Sequence, residues 1–150
     1  MTRTSRTRFT VLAIAAVAAL AFTGAGAAAA APPDSPQIPL NTGQEVPAPT
    51  VGGAHGTFSY EIEGDQLCWE LSVTGLSAPA TAAHIHVGER NVPGDVVVPL
   101  TVQNATSFET SGCAMPAADL LAQIEDDPRG YYVNVHNANN PGGEIRGQLK

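Results

Sequence analysis

Thr81-Ala82-Ala83-His84-Ile85-His86-Val87-Gly88 and, near the C-terminal end, Tyr131-Tyr132-Val133-Asn134-Val135-His136 each alternate polar or aromatic rings with small or aliphatic side chains. Successive side chains point to opposite faces of a pleated strand, so each stretch reads as a strand with its histidines on one face. Three of the four histidines fall in these two segments. Histidines at i and i+2 have Cα atoms roughly 6.5–7 Å apart, and their imidazoles can converge on one ion from the same side. His136, on a neighbouring strand, completes a three-nitrogen set with His84 and His86. Neutral imidazole suits copper and zinc. His55, in Gly53-Ala54-His55-Gly56, is a candidate fourth ligand, although a glycine-flanked histidine fits a solvated loop equally well.

Asn134 shares the face of His136, and Glu144 and Arg146 share a face of the closing segment. These groups are expected to hydrogen-bond the rings and fix their tautomers, as groups around a metal site do. The same residues also read as a buried polar network that satisfies itself with no ligand.

The rest of the chain is built from strands. Phe58, Tyr60 and Ile62 alternate with polar residues, Glu63-Gly64-Asp65-Gln66 turns the chain, and Leu67, Trp69, Leu71 and Val73 return with the same alternation. Gln37–Leu40, Asp95–Leu100 and Thr106–Cys113 read as further strands, and the run Val96-Val97-Val98 predicts contact on both faces. Tyr131–Val135 and Glu144–Leu149 form a closing hairpin. Tyr131 and Tyr132 point to opposite faces, so at most one is expected in the core. A single helix is predicted between Pro116 in its first turn and the stop at Pro128 and Gly130, with Leu120, Leu121 and Ile124 at helical spacing. Its acidic end, Glu125-Asp126-Asp127, reads as solvated. About seven short strands and one short helix predict an all-β, antiparallel Greek-key β-sandwich or barrel.

Residues 1–31 read as a secretory signal and Ala-rich leader: Arg3, Arg6 and Arg8, then the apolar run Phe9–Phe22, then small residues, with cleavage near 27–31. The apolar core is shorter than the roughly 20 residues a spanning helix needs, and nothing later spans a bilayer. The expected location is secreted or extracytoplasmic. Residues 32–150 are enough for one domain with one core. Without the three leader arginines, four basic residues face 14 acids, a formal charge of −10. That balance excludes nucleic acid as a partner, because phosphate binding rests on Lys and Arg. Cys68 and Cys113, in an exported chain without Cys-x-x-Cys spacing, read as a disulfide.

Leu40–Pro47 (LNTGQEVP), Leu67–Leu76 (LCWELSVTGL), Ala83–Gly88 (AHIHVG), Pro93–Leu100 (PGDVVVPL) and Tyr131–Leu149 (YYVNVHNANNPGGEIRGQL) together resemble the CHRD domain. That module is named from chordin, where it recurs in tandem, and it also occurs in secreted bacterial proteins. The resemblance implies an immunoglobulin-like sandwich similar to that of copper,zinc superoxide dismutases, which also use a His-x-His strand and a later histidine. On that likeness His84, His86 and His136 would be ligands and Arg146 an anion-guiding neighbour. The chain departs from the dismutase pattern in lacking an acidic zinc subsite and in placing Cys68 before the His-x-His strand.

No Gly-x-Ser-x-Gly elbow, phosphate-binding glycine loop or His-Glu-x-x-His occurs after the leader. The expectation is a non-enzymatic extracytoplasmic binding module for a copper or zinc ion, an extracellular protein or a glycan. The alternatives are a copper-dependent, dismutase-like oxidoreductase and a purely structural or interaction domain.

Overall fold

A computed structural model describes residues 35–150; the leader expected over residues 1–31 lies outside them. Eight strands follow one another as β1 (Ile38–Asn41), β2 (His55–Glu63), β3 (Gln66–Thr74), β4 (Ala80–Val87), β5 (Val96–Leu100), β6 (Phe108–Ala114), β7 (Tyr131–Asn137) and β8 (Ile145–Gln148). One helix, α1 (Ala118–Asp126), lies between β6 and β7. The strands form one sheet in the order β5-β4-β7-β8-β1-β2-β3-β6, and every pairing is antiparallel.

The sheet folds over its own apolar face until its edges β5 and β6 approach. The segment joining them is tied down by hydrogen bonds from Leu76 N to Thr106 O (2.9 Å) and Ala80 N to Ala105 O (3.0 Å). Around this nearly closed barrel β3, β6, β5 and β4 succeed one another, which is Greek-key ordering. The all-β, antiparallel expectation with one short helix therefore holds.

Alternation decides what is inside. Leu67, Trp69, Leu71 and Val73 on β3, Ala83 and Ile85 on β4, and Val133 and Val135 on β7 all enter the core. Trp69 lies opposite Gly112 on β6, where a Cβ would come within 2.9 Å of the indole. The glycine makes room for the one tryptophan. Beside this pair, Cys68 and Cys113 face each other in register and are joined as a disulfide, which pins edge strand β6 to β3.

Two local expectations are corrected. In the valine run of edge strand β5, Val98 is buried and Val97 is partly buried against the core, but Val96, beyond the bulge opposite Ile85 and His86, is half exposed. Pro116 precedes the helix instead of sitting in its first turn: Ala117 is extended at φ −60°, ψ 142° and caps it. Leu121 and Ile124 still bury its inner face, and Glu125-Asp126-Asp127 is exposed. The expectation for the tyrosines holds, since Tyr131 enters the core and Tyr132 takes the opposite face, where it is nevertheless buried.

Candidate metal centre

The outer face of β4-β7-β8 carries the histidines. Strand register sets His84 beside Asn134 and Asn134 beside Arg146, and sets His86 beside Tyr132 and Tyr132 beside Gln148; His136 stands opposite Ala82. The intervening residues Ala83, Ile85, Val133, Val135 and Ile145 point into the core. One sheet surface thus presents the polar side chains while its reverse stabilises the barrel.

His84, His86 and His136 converge, each offering a ring nitrogen within 4.8 Å of the others. His86 and His136 are nearly buried, and His84 is half-buried. The tautomers follow from two backbone carbonyls. Nδ1 of His86 lies 2.9 Å from Gly94 O, and Nδ1 of His136 lies 3.0 Å from Pro141 O. A carbonyl only accepts, so both Nδ1 atoms carry the proton and both Nε2 atoms keep a lone pair. His84 Nδ1 stands 3.0 Å from His136 Nε2, so in the metal-free protein His84 donates there. His86 Nε2 is buried with no hydrogen-bond partner.

Burial holds all three rings neutral. It pushes His84 down to about 4, helped by the neighbouring His136 and His86. Burial also lowers His86 and His136, opposed by the same carbonyls of Gly94 and Pro141. Neutral imidazole is the form that ligates a metal.

The groups expected to orient the rings divide. Asn134 belongs to the cluster: it is buried, gives Nδ2 to Gly142 O at 3.2 Å, and leaves Oδ1 without a partner. Glu144 does not reach the histidines. Its carboxylate accepts from Ser77 N at 2.9 Å, from Ser77 Oγ at 2.8 Å and from Asn137 Nδ2, and so anchors the loop before β4. Arg146 is only 1 % exposed, with its guanidinium 3.2 Å from the centroid of the Tyr132 ring. It donates to Val92 O at 3.1 Å and to Glu89 O at 2.7 Å. An arginine so enclosed holds the loop over residues 88–94 and is not an exposed guide for anions. His55 is exposed at the start of β2, bonded through Nδ1 to Gly53 O at 3.1 Å, outside the trio.

Sequence reading missed several participants. Tyr132 stacks on His86 with centroids 4.8 Å apart and planes at 7°, and its hydroxyl accepts from Gly94 N at 3.2 Å. Glu45, in the loop after β1, is buried beside Asn134 and Arg146, and burial pushes its carboxyl up to about 7 against the pull of Arg146 and Asn134. Gly143, at φ +124°, leaves the space that Glu45 and Asn134 occupy, since a Cβ there would overlap both. The alternation of β7 already placed Tyr132 on the histidine face. Glu45, between turns and prolines, carries no periodic signal at all.

A model of the CHRD domain matches residues 37–149. No curated protein and no solved structure matches the chain. Among the described residues no helix is long and apolar enough to cross a membrane.

Proposed function

This chain belongs to the CHRD domain family, a small binding domain of extracellular type, and from that premise we propose that it is a secreted, non-enzymatic module that binds a copper or zinc ion through His84, His86 and His136. The observation that carries this reading is the pair of carbonyls at Gly94 and Pro141, which leave the Nε2 lone pairs of His86 and His136 available on the face shared with His84. Bonds of about 2.0–2.1 Å in a tetrahedral or trigonal site put ring nitrogens roughly 3.3–3.6 Å apart. The trio, within 4.8 Å, reaches this when its widest pair closes by roughly 1.2–1.5 Å, shared between two rings. His84 exchanges its hydrogen bond for the ion by carrying its proton on Nε2 instead of Nδ1. Its partial exposure supplies an entry path.

The purely structural alternative rests on the hydrogen bond between His84 and His136, which satisfies two of the rings without a ligand. Calorimetric titration of the purified protein with copper(I), copper(II) and zinc separates the readings, with the His84→Ala/His86→Ala variant as control. Submicromolar affinity for one ion, lost in the variant, is the expected result. A folded protein that takes up none of these ions makes the histidines structural and turns attention to protein or glycan partners.

A further inference from the structure

The described residues contain four cationic side chains, Arg90, Arg129, Arg146 and Lys150. Three of them, Arg90, Arg129 and Lys150, line one cleft of about 590 Å³ together with Glu89, Asp127 and Gln148. The fourth, Arg146, lies beneath the same loop, bonded to the carbonyls of Glu89 and Val92. The positive charge of an acidic domain is thus gathered at one end. A second cleft, about 470 Å³ and lined by Thr57, Ser59, Glu70 and Glu109 among others, has no cation in its lining.

Like charges spread apart unless something compensates them. Here the cleft's own acids compensate in part. The Asp127 carboxylate is turned onto the Pro128–Gly130 turn, where a Cβ at Gly130 would meet its Oδ2 at 3.0 Å. By side chains alone, Arg90, Arg129 and Lys150 outnumber Glu89 and Asp127 in the cleft by three to two. All three cationic side chains are exposed and available to a ligand.

The cleft is also held in shape. Gln148 Nε2 lies 2.7 Å from Gly88 O and 2.6 Å from Arg129 O, and Gly88 N donates to Gly130 O at 2.7 Å. These bonds tie the loop bearing Arg90, the turn bearing Arg129 and the end of β8, two residues before Lys150, into one unit. A preorganised set of donors loses less freedom on binding.

We propose that this cleft is a binding site for a multivalent oxyanion, a phosphate or polycarboxylate group held by Arg90, Arg129 and Lys150. The planar guanidinium groups match such oxygens bidentately, and the ammonium group adds a point charge. The site is separate from the histidine cluster and needs no metal.

The test is amide chemical-shift titration of the purified, metal-free protein at low ionic strength with inorganic phosphate and with citrate, against chloride at matched ionic strength. Saturable shifts at Arg90, Arg129, Gly130 and Lys150 with the oxyanions alone are expected, with affinity falling about tenfold or more in Arg90→Ala/Arg129→Ala. Both positions are exposed, and a melting curve checks that the variant stays folded. Sedimentation with phosphatidylglycerol vesicles but not phosphatidylcholine vesicles, lost in the same variant, supports the site with a lipid headgroup as the source of the phosphate. Shifts that chloride reproduces, shifts that survive in the variant, or neither soluble nor vesicle binding would overturn the proposal.

Discussion

Gly94 and His86 are joined by a 2.9 Å hydrogen bond from the imidazole Nδ1 to the glycine carbonyl, although one lies on β4 and the other at the far side of the loop that leaves it. The loop closes on its own strand: Val87 N also donates to Asp95 O at 3.1 Å. A Cβ on Gly94 would overlap the Val87 carbonyl, so only glycine lets the backbone return this closely. Gly94→Ala is therefore expected to lower unfolding free energy by about 1–3 kcal/mol, read by urea denaturation. If the histidines hold a metal, the freed ring should also cost about 10–100-fold in affinity. An unchanged urea midpoint would show that the loop gives way without cost.

Tyr132 is clasped on both counts of its chemistry, its ring by Arg146 and His86 and its hydroxyl by Gly94 N. Tyr132→Phe keeps the ring and removes only the hydrogen bond. Its expected cost is about 0.5–1.5 kcal/mol. Tyr132→Leu also removes the aromatic face beneath a buried guanidinium, worth about 2 kcal/mol or more when desolvated, so it should be clearly the worse of the two. Equal losses in thermal melts of the pair would assign the whole effect to the hydroxyl.

The period-two pattern made most of this architecture legible, because β3, β4 and β7 each put aliphatic residues on one face and polar ones on the other. The same rule grouped His84, His86 and His136 correctly. Its limit is reached where loops intervene. Alternation predicts which face a side chain takes, but not whether that face meets water: Tyr132, on the face opposite the core, is buried against the loop over residues 88–94. Glu144 shows a second limit. Two residues from Arg146, it leaves the histidine face to bond Ser77 and Asn137, a partner choice set by a loop remote in sequence.

The disulfide between Cys68 and Cys113 spans 45 residues, and the loop it closes includes the whole histidine strand and β5. In the chain-entropy account, removing it in Cys68→Ala/Cys113→Ala costs about 4 kcal/mol through the unfolded state. The cysteines lie at the β3–β6 edge, away from β4, β7 and β8. Stability measured by denaturant should therefore fall while the histidine site of the still-folded fraction keeps its ligand behaviour. A loss below about 1 kcal/mol would show that the paired edge strands already restrict the chain without the bond.

Glu45 and the histidines should bend the pH–stability curve in opposite directions. His84 takes up its proton at an ordinary value of 6.5 when unfolded but at about 4 when folded. Between those values the unfolded chain binds more protons, so stability falls as pH drops from 6.5 towards 4. Burial lowers His86 and His136 in the same sense. The Glu45 carboxyl moves from 4.5 unfolded to about 7 folded. There the folded chain holds the extra proton, so the contribution of Glu45 falls as pH rises from 4.5 to 7. The two trends oppose each other between 4.5 and 6.5. Glu45→Gln keeps the shape of the protonated acid and removes its titration, leaving the histidine trend unopposed. Melting temperatures of the metal-free protein across this window should then fall more steeply on acidification in the variant than in the parent. Parallel profiles would mean that Glu45 stays ionised in the folded chain, held by Arg146 in spite of its burial.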